Sequence, residues 1–152
     1  MGRSRSRGEV GRRSPSSPGP ASGPTTSRIV LIADDDETTR IVLQRFFTKL
    51  GWLALPVDDG GEIWPILERE DVAALVLDLN MPGVNGWEVL RRLRDDFRYR
   101  GRAMRVIVLS AQADADSRDF ALGLGAACFF SKPVDLGELS RAVLPALDPL
   151  RS

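Results

Sequence analysis

The feature that most constrains the fold is a continuous apolar run, VAALVLDL at residues 72–79. A strand that is apolar at consecutive positions is typical of a parallel sheet buried on both faces. Four more short apolar runs predict strands, with helix-like segments between them: RIVLIA (28–33), WLALPV (52–57), MRVIVLS (104–110) and ACFFS (127–131). Strands that alternate with helices form right-handed βαβ units. The sequence therefore predicts an α/β fold whose parallel sheet is covered by helices on both sides.

The predicted helices carry apolar residues at helical spacing. The inward face of the first helix is marked by Val42, Leu43, Phe46, Phe47 and Leu50, and Gly51 would cap its C-terminus. In the second helix, EIWPILERE, the proline at position 65 predicts a late start. In the third helix, the predicted inward face consists of Val89, Leu90 and Leu93. The last is striped by Leu136, Leu139, Val143 and Leu147.

Composition excludes several kinds of site. The chain of 152 residues has no histidine and a single cysteine, Cys128. Catalysis by an imidazole, a histidine-ligated metal and an internal disulfide are therefore excluded. No segment approaches the roughly 20 apolar residues of a membrane span. No apolar signal region follows the N-terminal arginines, so the sequence predicts a cytoplasmic protein with no membrane partner.

Charge and composition divide the chain in two. In residues 1–27, 16 positions are Gly, Ser or Pro, and five arginines face one glutamate. Such a segment buries too little apolar surface to fold, so we predict a disordered tail at 1–27 and one domain at 28–152. The domain has a net charge of −4. This argues against nucleic acid as its main partner, although the tail arginines could touch phosphates.

Polar residues follow the predicted strands, where the carboxyl ends of a parallel sheet place functional groups. They are Asp34, Asp35, Asp36, Asp78, Ser110 and Lys132. Converging carboxylates repel one another unless a cation joins them, and oxygen ligands without His or Cys suit Mg²⁺ best. A hydroxyl and an ammonium beside them suit a transferring phosphoryl group. Asp36 is better explained as a first-turn acid that the helix dipole favours.

Four stretches, in this order and spacing, carry a resemblance: IADDDETTR, LVLDLNMPGVNG, VIVLSAQ and FFSKPVD. The chain resembles the receiver domain of two-component response regulators, of the single-domain chemotaxis-regulator-like type, from residue 28 to about residue 148. The resemblance implies a doubly wound, flavodoxin-like sheet of five parallel strands in the order 2-1-3-4-5, with helices on both faces.

The resemblance also implies roles for single residues. Asp78 would be the phosphoacceptor. Mg²⁺ would bind Asp35, Asp78 and the carbonyl oxygen of Asn80 directly, and Asp34 through a water molecule. Lys132 would pair with Asp78 and then with the phosphoryl oxygens. The peptide bond before the proline at position 133 would be cis.

Two further residues would form the switch. Ser110 would hydrogen-bond the phosphoryl group and move toward it, and Phe129 occupies the position of the switch aromatic. The family more often has threonine and tyrosine at these positions. The substitutions keep the hydrogen bond of Ser110 but remove the phenolic hydroxyl that a tyrosine would have at Phe129.

The sequence thus predicts a stand-alone signalling phosphoacceptor and not a metabolic enzyme. The phosphoryl donor would be a partner histidine kinase or phosphotransfer protein, and output would pass through an unidentified downstream protein. The alternative is a receiver-like binding module that works without phosphate. A haloacid-dehalogenase-like phosphatase is less favoured because Asn80 stands where it would need a second acid. A flavodoxin-like cofactor binder is less favoured because the loop DDDETT would repel a cofactor phosphate.

Overall fold

The computed structural model describes residues 27–147, with side chains described up to residue 142. Five strands alternate with five helices: β1 (Ile29–Ala33), α1 (Glu37–Lys49), β2 (Leu53–Val57), α2 (Ile63–Arg69), β3 (Ala74–Asp78), α3 (Gly86–Asp95), β4 (Arg105–Ser110), α4 (Ala115–Gly123), β5 (Cys128–Ser131) and α5 (Leu136–Leu147). The tail predicted at 1–27 lies outside the described residues except for its last position. So do the side chains of Val143 and Leu147.

The five strands form one parallel sheet in the order β2-β1-β3-β4-β5. This confirms the predicted topology. β1 and β3 are hydrogen-bonded neighbours with Ala33 opposite Leu77, and Leu77 lies opposite Val108 of β4. The chain leaves β1 toward one side of the sheet and β3 toward the other, so a crevice opens where these two strands end.

Alternate residues of each strand face two separate cores. On one face, Val30, Ile32 and Val76 pack with Leu43 and Phe47 of α1 and with Leu139 of α5. On the other face, strand residues such as Leu31 and Leu77 pack with buried residues of α2, α3 and α4. All five residues of β3 are buried, as its continuous apolar run predicted. The sheet is therefore covered by helices on both faces.

Two local predictions are wrong. A 3-10 turn at Gly60–Glu62 leads directly into α2 at Ile63, so the helix does not start late. Pro65 lies in the first turn of α2, where a backbone N–H has no partner within the helix and its absence costs nothing. Val42 was expected to face inward, but its side chain is 38% exposed.

The turn after α1 is as predicted, since Gly51 adopts the left-handed conformation that suits a helix C-terminus. Among residues 27–147, no helix combines the length and the apolar character needed to cross a membrane.

Candidate functional site

The site lies at the carboxyl edge of the sheet, which we define as the edge where the strands end. Asp34 directly follows β1 and Asp78 is the last residue of β3, so the pairing of these two strands brings the carboxylates together. Asp34 and Asp78 are buried, whereas Asp35 is exposed at the rim. One carboxylate oxygen from each of the three residues lies within 4.8 Å of the others. The structure thus assembles the acidic group that the sequence predicted.

Backbone N–H groups hold both buried carboxylates in place. The N–H of Asp36 donates to Oδ1 of Asp34 over 2.9 Å, and the N–H of Asn80 donates to Oδ1 of Asp78 over 3.1 Å. Each donor lies two residues after its acceptor, which is the geometry of an Asx turn. Arg40 of α1 adds a third restraint, because its guanidinium donates to the carbonyl oxygen of Asp34 over 2.7 Å. One oxygen of each buried acid is fixed by these contacts and the other faces the crevice.

The second oxygens face the ammonium group of Lys132, which follows β5. Nζ of Lys132 lies 2.8 Å from Oδ2 of Asp34 and 3.4 Å from Oδ2 of Asp78. The shorter contact is with Asp34, whereas the sequence pointed to Asp78 as the partner. The backbone of Lys132 is tied to the neighbouring strand end by an N–H donated to the carbonyl oxygen of Ser110. The peptide bond between Lys132 and Pro133 is cis, as predicted.

Burial raises the pKa of Asp78 to about 6, and the negative charge of Asp34 adds to this rise. The N–H of Asn80 and the charge of Lys132 act in the opposite direction but do not cancel it. For Lys132, burial alone would lower the pKa, but its contacts with Asp34 and Asp78 outweigh burial and raise the pKa. The lysine therefore stays charged, and the carboxyl group of Asp78 keeps its proton to a higher pH than an ordinary aspartate does.

The donor set fits a divalent cation. Three carboxylates converge without any histidine or cysteine, and hard cations prefer such oxygen ligands. Oδ2 of Asp34 is buried, and among the described residues its close polar partner is the ammonium group of Lys132, so a metal there would share this oxygen with the lysine or displace it. The acidic group is typical of the metal site of receiver domains. Asn80, whose carbonyl was expected to contribute, lies two residues beyond Asp78 and is exposed.

Ser110 ends β4 and is buried, yet its hydroxyl is engaged by its own loop. Oγ of Ser110 donates to the carbonyl oxygen of Gln112 and accepts from the N–H of the same residue, both over 3.0 Å. The hydroxyl thus closes the first turn of the loop between β4 and α4. To reach a group held on Asp78, it would have to leave both bonds.

Phe129 lies in β5 opposite Val108. Its ring is buried in the same core as Ala121 and Leu124 of the α4 region. The side chain is therefore packed inward, against the helix that follows the Ser110 loop.

Two close approaches of glycines to neighbouring backbone were not predicted from the sequence. Gly86 is the first residue of α3, and a Cβ there would lie 2.4 Å from the carbonyl oxygen of Asp78. At Gly60, a Cβ would lie 2.1 Å from the carbonyl oxygen of Val84. Gly86 thus lets the start of α3 pack against the end of β3, and Gly60 lets the 3-10 turn pack against the loop between β3 and α3. Gly83, in that loop, has the positive φ typical of a turn glycine.

Comparison with known proteins agrees with this geometry. The sequence profile of the response regulator receiver domain matches residues 30–144. The chain is 36% identical over 110 residues to the sensory/regulatory protein RpfC of Xanthomonas campestris, a match that covers 72% of this chain and 15% of that protein. The chain thus spans only a small part of this relative.

A second relative is matched over nearly its whole length. Sporulation initiation phosphotransferase F of Bacillus subtilis is 32% identical over 123 residues, which are 81% of this chain and 95% of that protein. Among solved structures, the receiver domain of Francisella response regulator 1452 superposes with a TM-score of 0.73 at 25% identity, covering 82% of this chain and 99% of that domain. The structural match shares the fold, and the sequence matches place the chain in the receiver domain family.

Proposed function

This chain belongs to the response regulator receiver domain family, and we propose that it takes a phosphoryl group onto Asp78 from a phosphohistidine of a partner protein. The observation that carries the proposal is the convergence of three carboxylates with Lys132, which lies in ion-pair contact with Asp34 and Asp78. Carboxylates that share a site repel one another unless a cation is bound, so a cluster of this kind is typical of a functional site.

In this reaction a carboxylate oxygen of Asp78 attacks phosphorus, the P–N bond to the partner's imidazole breaks, and an acyl phosphate forms. The imidazole leaves and is protonated from solvent. The chain's own groups do two things. The N–H of Asn80 orients the attacking carboxylate, and the ammonium of Lys132 is near enough to pair with the oxygens of the arriving phosphoryl group.

We propose Mg²⁺ as the cation, held by Asp34, Asp35 and Asp78, with the carbonyl of Asn80 as a further ligand. When bound, it would neutralise charge on both the acids and the phosphoryl oxygens. All the proposed side-chain ligands are carboxylates, and their convergence within 4.8 Å supports the assignment.

We further propose that phosphorylation switches the surface through Ser110 and Phe129. The hydroxyl of Ser110 would exchange its bonds with Gln112 for one to the phosphoryl group. Because the ring of Phe129 shares a core with residues of the α4 region, movement of the loop after Ser110 would change its packing. A downstream protein would then bind the altered surface.

The phosphoryl donor would be a sensor histidine kinase or a phosphotransfer protein, as receiver domains pair with such partners. The name of the Bacillus relative, a phosphotransferase, also supports onward transfer of the group to another protein. For the domain itself we propose the bounds 28–152, with residues 1–27 as a tail. The cytoplasmic location stays a prediction.

The test is phosphate incorporation by mass spectrometry. Purified protein is incubated with acetyl phosphate and Mg²⁺, and the intact mass is compared for the native chain, Asp78→Ala and the surface control Asp119→Ala. We expect one labile phosphate on the native chain and on the Asp119→Ala control, and none on Asp78→Ala. Folded native protein that takes no phosphate would refute the proposal and favour the phosphate-independent binding module.

A further inference from the structure

Charge is segregated between the two edges of the sheet. The segments that follow the strands, 34–40, 58–62, 78–88, 111–119 and 132–138, together hold fourteen acids and three bases, a net charge of −11. The amino edge, which we define as the edge where the strands begin, has the opposite sign. Its main element is the segment 91–105, from the middle of α3 to the start of β4, with seven arginines and two aspartates.

The other charges at the amino edge do not cancel this excess. Three acids at the end of α2, Glu68, Glu70 and Asp71, are matched in number by Arg28, Lys49 and Arg69, so the net charge of the edge stays at +5. Parallel strands explain why the two edges differ, because residues that precede strands and residues that follow them are collected at opposite ends of the molecule. A local field of this kind attracts a polyanion even though the domain as a whole is acidic.

Within the segment 91–105, part of the positive charge is left unpaired. Asp95 and Asp96 pair with Arg92, Arg94 and Arg98. Among residues 27–147, Arg100 and Arg105 have no carboxylate within ion-pair distance, and both side chains are exposed. They are free to neutralise charges on a partner.

An exposed aromatic ring lies among these arginines. Phe97 begins the turn after α3 and is 79% exposed, the most exposed of the large apolar side chains among the described residues. The turn that carries it is tied to its surroundings by ring contacts and a hydrogen bond. Tyr99 is buried beneath the guanidinium groups of Arg98 and Arg102, each 5.3 Å from its ring, and Arg102 donates to the carbonyl oxygen of Leu67 at the end of α2. Phe97 thus lies exposed on a turn that packs against the end of α2.

The described chain enters the domain at the same edge. β1 begins at Ile29, and residues 1–26 before it contain five arginines and one glutamate. Four of these arginines stand in Arg-Ser or Arg-Gly pairs, at Arg3, Arg5, Arg7 and Arg13. Such pairs are common in segments that bind single-stranded nucleic acid.

From these observations we propose that the amino edge binds single-stranded nucleic acid. Arginines would contact the phosphates and Phe97 would stack on an unpaired base, the combination used by proteins that bind single strands with little sequence preference. A duplex offers the phosphates but not the base faces. The site lies at the opposite edge from Asp78, so the interaction does not depend on phosphorylation and goes beyond the proposed function.

The test uses the full chain and a fluorescein-labelled oligouridylate of about 12 nucleotides, with binding followed by anisotropy. If about four phosphates are contacted, the affinity should fall about 50-fold when salt rises from about 50 to about 200 mM. Phe97→Ala should weaken binding about tenfold at constant salt, because one stacking contact is lost. The pair Arg100→Glu and Arg105→Glu should also weaken binding and reduce the salt dependence.

The matched control is the pair Arg45→Glu and Arg118→Glu, which changes the net charge equally at exposed sites on α1 and α4. We expect it to bind almost as the native chain does. Equal losses in the two pairs would overturn the proposal, since binding would then follow net charge alone. The proposal would also be overturned if deletion of residues 1–26 abolished binding while the variants at the amino edge left it unchanged. It would be overturned as well if the chain bound anionic phosphatidylglycerol vesicles but not the oligouridylate. Circular dichroism melting shows that each variant is folded.

Discussion

Replacement of Gly86 by alanine should perturb Asp78, the proposed phosphoacceptor, without touching any charged group. The new Cβ would lie 2.4 Å from the carbonyl oxygen of Asp78 and 2.5 Å from the Cα of Leu79. Both atoms belong to the backbone and cannot rotate away. Ordinary contact requires about 3.4 Å or more between such atoms, so α3 and the end of β3 must separate by about 1 Å.

The magnitude follows from two opposing effects. Overpacking a rigid site costs about 1–3 kcal/mol, whereas alanine inside a helix is favoured over glycine by about 1 kcal/mol. At the first position of α3 only part of that helical gain is realised, so we expect a net loss of about 1–2 kcal/mol in the free energy of unfolding. The displaced carbonyl belongs to Asp78 itself, so the rate of phosphorylation should also fall.

Urea unfolding and acetyl phosphate labelling measure the two effects. Gly123→Ala is the matched control, because it makes the same substitution in α4 with nothing within 4 Å of the new Cβ. We expect this control to be neutral or slightly stabilising, with native labelling. If Gly86→Ala were as stable and as rapidly labelled as the native chain, the close approach at Gly86 would limit neither stability nor phosphorylation, and the prediction would be wrong.

Three further predictions concern the site and the N-terminal segment. The pKa of Asp78 is raised to about 6, so the stability that its protonated form adds is present at low pH and lost as pH rises through this value. Asp78→Asn should remove that pH dependence. In metal-free buffer at neutral pH it should also stabilise the fold by up to about 3 kcal/mol. A series of thermal melts that shows no difference between the variant and the native chain would contradict this. Removal of Mg²⁺ with EDTA should abolish labelling by acetyl phosphate, and unchanged labelling would disprove a role for the cation. Deletion of residues 1–27 should leave labelling and melting temperature unchanged, whereas a large drop in melting temperature would show that this segment packs on the domain.

The fold and the acidic site could be predicted because each depends on a local pattern. Continuous apolar runs such as 72–79 mark buried parallel strands, and the residues after such strands must meet at one edge. Asp34, Asp78 and Lys132 were found in this way. The choice of Asp34 as the nearer partner of Lys132 could not be predicted, since it depends on sub-ångström placement of three side chains.

Other features depend on what lies opposite a residue in space. Val42 has the spacing of an inward residue but lies at the margin of the face that α1 turns to the sheet. Pro65 is accommodated because it lies in the first turn of α2, where its missing N–H would have no partner within the helix. The positive charge of the amino edge was not predicted because the net charge was summed over the whole domain. Such a sum does not distinguish residues that precede strands from residues that follow them. Sorting the charges by whether they precede or follow a strand would have revealed it.

The packing around Tyr99 has a consequence for spectroscopy. Tyr99 is the chain's single tyrosine, and its ring lies 5.2 Å from that of Trp64. Burial raises its pKa, so its ionisation band should appear at higher pH than that of a free phenol. Trp87, at the start of α3 next to the loop that follows Asp78, is in ring contact with Phe120 instead. Phenol absorbance therefore reports on the amino edge alone. The fluorescence of a single-tryptophan variant that keeps Trp87 would report on the opposite edge. The two ends of one small domain can thus be observed separately in the same sample.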